Sequence, residues 1–235
     1  MGALVAGFAS WGVGEYPQFG FTPTLTPVQT QAGTVMSVSF EEETRVHRLN
    51  ATLGAGVLGS LVGITIGLSA GLSRGRSFPA IASGVLGAIL GTALAVAAAT
   101  LLLPIFFRKF SADQEASLND LLTPLLVRSG IWGAIGAAGG LALAAGLERW
   151  GRLGMCVVAG IAGGAVGAVV YEVVGALAFA SARTSQPIAN VWAARLLAGL
   201  CATIGITVFA GLGAASSGHH RKGPKTTGPS TLKAG

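Results

Sequence analysis

The chain has 235 residues, of which 51% are hydrophobic and only 10% charged, with a mean hydropathy of +0.68. Soluble domains carry about 25% charged residues, so a chain this poor in charge cannot cover a water-facing surface and belongs in a lipid bilayer. The net charge of +6 does not make nucleic acid a partner, because the basic residues lie at the ends of apolar segments, where topology determinants lie.

From the N-terminus, Ala3 to Val13 is apolar but too short to span. No basic residues precede it, which argues against a cleavable signal peptide. Two readings are open: an interfacial anchor, or the end of a span that starts upstream. Gln18 to Ser39 is rich in Thr, Pro, Gly and Gln and reads as an irregular extramembrane segment. Ser39 can cap a helix whose first turn holds Glu41, Glu42 and Glu43, acids that suit the positive end of a helix dipole. That helix can run on into the first span. Residues 1–48 thus form an N-terminal stub and extramembrane segment.

A hydrocarbon core of about 30 Å needs about 20 apolar helical residues. Charge-free stretches predict five spans: Leu49–Ser73, Pro79–Phe107, Ser129–Leu147, Leu153–Ala180 (broken only by Glu172) and Val191–Ala215, with Arg195 near its start. The runs are apolar on every face, which excludes the alternating strands of a β-barrel. The predicted fold is all-α: a multi-pass transmembrane bundle over residues 49–215 with about five spans. Between spans two and three, Leu118, Leu121, Leu122, Leu125 and Leu126 recur at helical spacing beside Asp113, Glu115 and Asp120. This predicts an interfacial amphipathic helix over 113–128, bent by Pro124 before the third span. Residues 216–235 carry no apolar run and read as a disordered basic tail, with His219, His220, Arg221, Lys222 and Lys225 available to anionic head groups.

Glycine recurs at every fourth position in the first span: Gly59, Gly63, Gly67 and Gly71. Lipid chains are as apolar as leucine, so helices associate in a membrane through close packing of small residues rather than through hydrophobicity. Gly87 and Gly91 in the second span, Gly136 and Gly140 in the third, and Gly160 and Gly164 in the fourth extend the pattern. These faces can compact the chain's own bundle, or join it to a second copy or another membrane protein. Spans one to two and three to four would form two glycine-rich hairpins running in the same direction, a parallel repeat.

The two shortest links are basic, through Arg74, Arg76, Arg149 and Arg152. They place the C-terminus in the cytoplasm and residues 15–48 outside, although the full Lys/Arg balance is a narrow eight against seven.

No zinc-protease, Walker or nucleophile-elbow sequence is present, and nothing calls for a cofactor or a metal. Cys156 and Cys201 lie inside apolar runs as small hydrophobes. Asn50-Ala51-Thr52 matches a glycosylation sequon by chance at the membrane edge. Two charges remain inside apolar sequence, Glu172 and Arg195, and intramembrane charges are functional by default. Both lie about 6–12 Å inside the same membrane face, so they are expected to pair across antiparallel neighbours. Three functional classes follow in order: a structural or assembly component of a membrane, a small transporter or channel built around Glu172, and a membrane enzyme.

Overall fold

The computed structural model describes residues 2–15, 20–30, 33–112, 119–179, 189 and 191–216. The expected disordered tail, from residue 217, and the first part of the expected interfacial helix, 113–118, lie outside the described residues. Among the described residues there are six α-helices: α1 (Gly2–Glu15), α2 (Phe40–Leu72), α3 (Ser77–Ala112), α4 (Asn119–Gly146), α5 (Leu153–Ala178) and α6 (Trp192–Ala215). Five stretches are long and apolar enough to cross a membrane, falling on α2, α3, α4, α5 and α6, and they make the chain an all-α, multi-pass integral membrane protein.

Helix ends follow the local chemistry. Ser39 accepts a hydrogen bond from the Glu42 backbone N–H at 3.2 Å, and the three glutamates after it occupy the positive first turn of α2. This helix has 33 residues, about 50 Å, so it stands clear of the bilayer before it enters. Gly75 ends the hairpin turn with φ 69°, a left-handed conformation that glycine adopts without steric cost.

In the segment expected to be irregular, Thr26–Thr30 (β1) and Gly33–Ser37 (β2) pair as an antiparallel hairpin, with Val28 opposite Val35. Its Thr and Val content favours a strand, and Pro27 is tolerated because both strands are edges. Residues 119–128, the described part of the expected interfacial helix, are helical and continuous with α4, which passes through Pro124 without a break. The stretch of α4 long and apolar enough to span is Leu122–Gly146, where the charge-free run starts at Ser129.

The bundle has two distinct ends. At one end lie the two short links and the C-terminal end of α6. Arg74 donates to the Leu147 carbonyl at 2.9 Å and pairs with Glu148 at 2.8 Å, tying the links together. Arg152 donates to the Ala214 carbonyl at 3.0 Å. Guanidinium groups thus satisfy the carbonyls left open at the ends of α4 and α6. At the opposite end lie the β-hairpin, the start of α4 and the start of α6.

Helix α4 sits at the centre, with 56% of its apolar stretch buried against 28–39% for the other spans. Val62, Ile66, Ala95, Ala99, Ile135, Ala202 and Ile206 form the dry core around it. Exposed Ile81, Val85 and Ile89 on α3, and Val158, Val169 and Val173 on α5, form the lipid-facing surface. The short helix α1 packs into the bundle, against α2 and α6. Gly2 lies against Ser69 and Thr65 of α2, Gly7 against Leu200 and Thr203 of α6, and Glu15 reaches Arg195, so α1 runs antiparallel to both.

Candidate functional site

The glycine positions fix where the helices can and cannot part. A Cβ at Gly59 would strike the Gly91 backbone, at Gly63 the Gly87 backbone, at Gly67 the Ser83 backbone, and at Gly71 the Ala80 backbone. Gly87 and Gly91 meet Gly63 and Gly59 in return. In the second hairpin Gly136 and Gly160 face each other, Gly140 meets Cys156, and Gly164 meets Trp132. Gly163 and Gly167 place α5 against Gly205 and Cys201 of α6. Ser83 adds an interhelical hydrogen bond to the Gly67 carbonyl at 2.8 Å. These contacts join helices of this chain backbone to backbone.

Towards the hairpin end the close contacts stop. Gly54, one turn before the ladder, has nothing within 4 Å of its Cβ position. The helices there enclose a cavity of about 400 Å³ to which every helix contributes, through Trp11, Asn50, Phe106, Arg128, Tyr171 and Arg195 among others.

Two ion pairs stand at this level. Arg128 and Glu172 form a direct ion pair between α4 and α5, with side chains only 9% and 15% exposed. The Arg128 guanidinium carbon lies 4.3 Å from the centre of the Tyr171 ring and 5.9 Å from that of Trp132. Arg128 is the fourth residue before Trp132, so one helix turn stacks the cation over its own aromatic neighbour. It lies six residues beyond Leu122, about 9 Å into the span. A guanidinium at that depth is costly unless paired, and here a carboxylate and two ring faces replace its water. The second pair joins α6 to α1. Arg195 Nε and Nη2 donate to the two carboxylate oxygens of Glu15 at 2.6 and 2.8 Å, a bidentate fork. Trp11 and Trp192 pack beside it with ring centres 6.1 Å apart.

The expected pairing of Glu172 with Arg195 is therefore corrected: Glu172 pairs with Arg128 and Arg195 with Glu15. The reason is direction around the α5 axis. Gly163 and Gly167 face α6, and Glu172 follows Gly163 by nine residues. Nine steps of about 100° put Glu172 on the opposite side of the helix, away from α6. Arg128 escaped the sequence reading because a charge-free scan ends wherever a charge occurs. Glu15 escaped it because the segment before it was too short to count as a span. The signal that could have found Arg128 is the leucine run on its N-terminal side together with Trp132 one turn later.

Other polar groups at this end are largely engaged. The Asn50 amide accepts from the Phe21 backbone N–H at 2.7 Å and donates to its carbonyl at 3.0 Å, fastening the chain over the bundle end. The sequon asparagine is thus used as a structural clamp. Ser10 donates to the Gly7 carbonyl at 3.1 Å. The Trp11 indole N–H is buried and finds no acceptor among the described residues.

No family model matches this chain, and comparison with curated proteins and with solved structures gave no significant match. A concave, mostly apolar space with a few fixed polar groups, formed between the helices of a bundle, is the usual form of a small-ligand site.

Proposed function

We propose that the protein is a membrane-embedded carrier that takes a small amphipathic ligand into the cavity at the hairpin end of its bundle. The observation that carries this reading is the cavity itself, walled by the intramembrane cation Arg128 where a purely structural bundle would be packed. The glycine-clamped hairpins supply the rigid body against which a ligand can be held. They also support the second reading, a structural or assembly component, since close backbone packing alone makes a durable bundle. The basic short links, Arg74, Arg76, Arg149 and Arg152, support a cytoplasmic location for the short-link end and the C-terminus. The cavity then opens towards the outer face, where a ligand would enter.

Native mass spectrometry of the detergent-purified protein tests the choice. The carrier reading expects a bound small molecule on the wild type that is lost from the cavity-filling variant Ala198→Trp, with the melting temperature of the variant unchanged. Wild-type protein free of small molecules, or equal occupancy in the variant, would return the assignment to the structural role.

A further inference from the structure

Acidic and basic residues are divided unevenly between the two ends of the bundle. At the short-link end, among the described residues, Arg74, Arg76, Arg149 and Arg152 stand with a single carboxylate side chain, that of Glu148. Glu148 is shared: it pairs with Arg74 at 2.8 Å and lies 3.8 Å from Arg76, whose side chain is 65% exposed. Arg149 and Arg152 converge on one oxygen, the Ala214 carbonyl, at 3.5 and 3.0 Å. A carbonyl carries only a partial charge, so it positions the two cations and does not neutralise them. Residues 216–235 add Arg221, Lys222, Lys225 and Lys233 and no acidic side chain. Exposed aromatic rings accompany these cations. Phe78 (81% exposed) and Trp150 (64%) fall at the starts of two of the apolar stretches, the level at which aromatic rings meet head groups. Gly151 and Gly154 have open space at their Cβ positions, so a ligand can come close to the backbone at the start of α5.

We infer that the short-link end binds the head group of an anionic phospholipid. The exposed Arg149 is the principal donor to its phosphate, and Arg76 adds positive charge at the rim. Trp150 packs at the glycerol level, and the acyl chains run along the exposed Met155 and Val158 of α5. Cations flanking a span attract anionic lipid by charge, an attraction that a zwitterionic head group does not share. A lipid fits this surface better than an acidic protein segment, because the cations are set among exposed rings at the edge of the apolar stretches. Binding here is separate from the cavity, which lies at the hairpin end.

Native mass spectrometry of the delipidated protein in neutral detergent, titrated with phosphatidylglycerol or phosphatidylcholine, tests the assignment. The wild type should bind phosphatidylglycerol saturably and more tightly than phosphatidylcholine. Each cation close to an anionic head group is worth about fivefold in affinity, so Arg149→Gln should weaken phosphatidylglycerol binding about fivefold and Arg76→Gln/Arg149→Gln about 25-fold. Both variants should keep the lipid-free melting temperature, because the two side chains are exposed and Glu148 still pairs with Arg74. Arg149→Lys keeps the charge and should lose less than Arg149→Gln. Arg221→Gln/Lys222→Gln/Lys225→Gln should bind as the wild type does. Equal affinity for the two lipids, or wild-type binding by the double variant, would overturn the assignment. So would a loss confined to the tail variant, which would move the head group to residues 221–225. If a polyglutamate peptide binds in an Arg149-dependent way and phosphatidylglycerol does not, the surface docks an acidic protein segment and the lipid assignment falls.

Discussion

The two ends of helix α2 are built to opposite specifications. From Gly59 to Gly71 its backbone lies directly on α3, with no room for one methyl group, whereas at Gly54 there is open space beside it. The clamped end gains its stability from dispersion and close approach, which work in lipid as they do in water. The open end holds the cavity and the charges, and its stability rests on ion pairs, rings and one bidentate fork. One helix thus serves as scaffold along one part and as the wall of a site along another. The contrast teaches that glycine spacing shows where helices are locked, and its interruption shows where a membrane bundle has room.

Substitutions can break this contrast. The largest effect belongs to Gly63→Leu/Gly67→Leu, which drives two side chains into the α3 backbone. Ordinary overpacking costs about 1–3 kcal/mol, and here the obstacle is main chain, so the variant should lose most of a native stability of about 5–15 kcal/mol. Its thermal unfolding in detergent should show no cooperative transition. A wild-type melting temperature would mean that these positions face lipid.

Next comes the buried pair. Arg128→Gln leaves the Glu172 carboxylate without its cation and should cost about 3–5 kcal/mol. Removing both charges should restore most of that loss, and a double-mutant cycle on melting should show strong coupling. The same cycle run on Glu172 and Arg195 should be additive, because their partners differ.

Smaller still is the effect of Arg195→Gln. Its fork with Glu15 is about one-third exposed, at 35% and 28% for the two side chains, so the loss should be about 1 kcal/mol or less. Denaturation curves of this variant and of Arg128→Gln, compared side by side, check the ranking. Gly54→Ala should move stability least and in the other direction, by up to about +1 kcal/mol from helix propensity in open space. Destabilisation at Gly54 as severe as at Gly63 would erase the distinction between the two ends.

Much of this architecture was legible in the chain because lipid imposes a length and a composition on every span. The apolar stretches on α2, α3, α5 and α6 were legible from hydropathy alone. The α4 boundary was missed at Arg128, where a tertiary contact with Glu172, Tyr171 and Trp132 offsets the cost of the charge. Sequence gives the depth of a residue through its distance from a span end, and Glu172 and Arg195 do lie towards the same end of the bundle. Azimuth is harder to read, because it depends on which neighbour each glycine face meets. Those neighbours are set by the tertiary fold, in which Gly163 and Gly167 lie against α6. The role of α1 was invisible for a related reason: its 14 residues contribute through packing against α2 and α6, which hydropathy does not measure.

The central claim, a clamped scaffold with a reachable cavity at one end, is tested most directly by thiol accessibility. In a Cys156→Ala/Cys201→Ala background, single cysteines are placed at Ala55 and Ala198, which line the cavity, and at Val62 and Ala95, which are 1% and 0% exposed in the packed region. Protein in liposomes is treated with a charged, membrane-impermeant methanethiosulfonate. The account predicts rapid modification at positions 55 and 198 and none at 62 and 95. Uniform protection at all four positions, or equal reaction at all four, would contradict it.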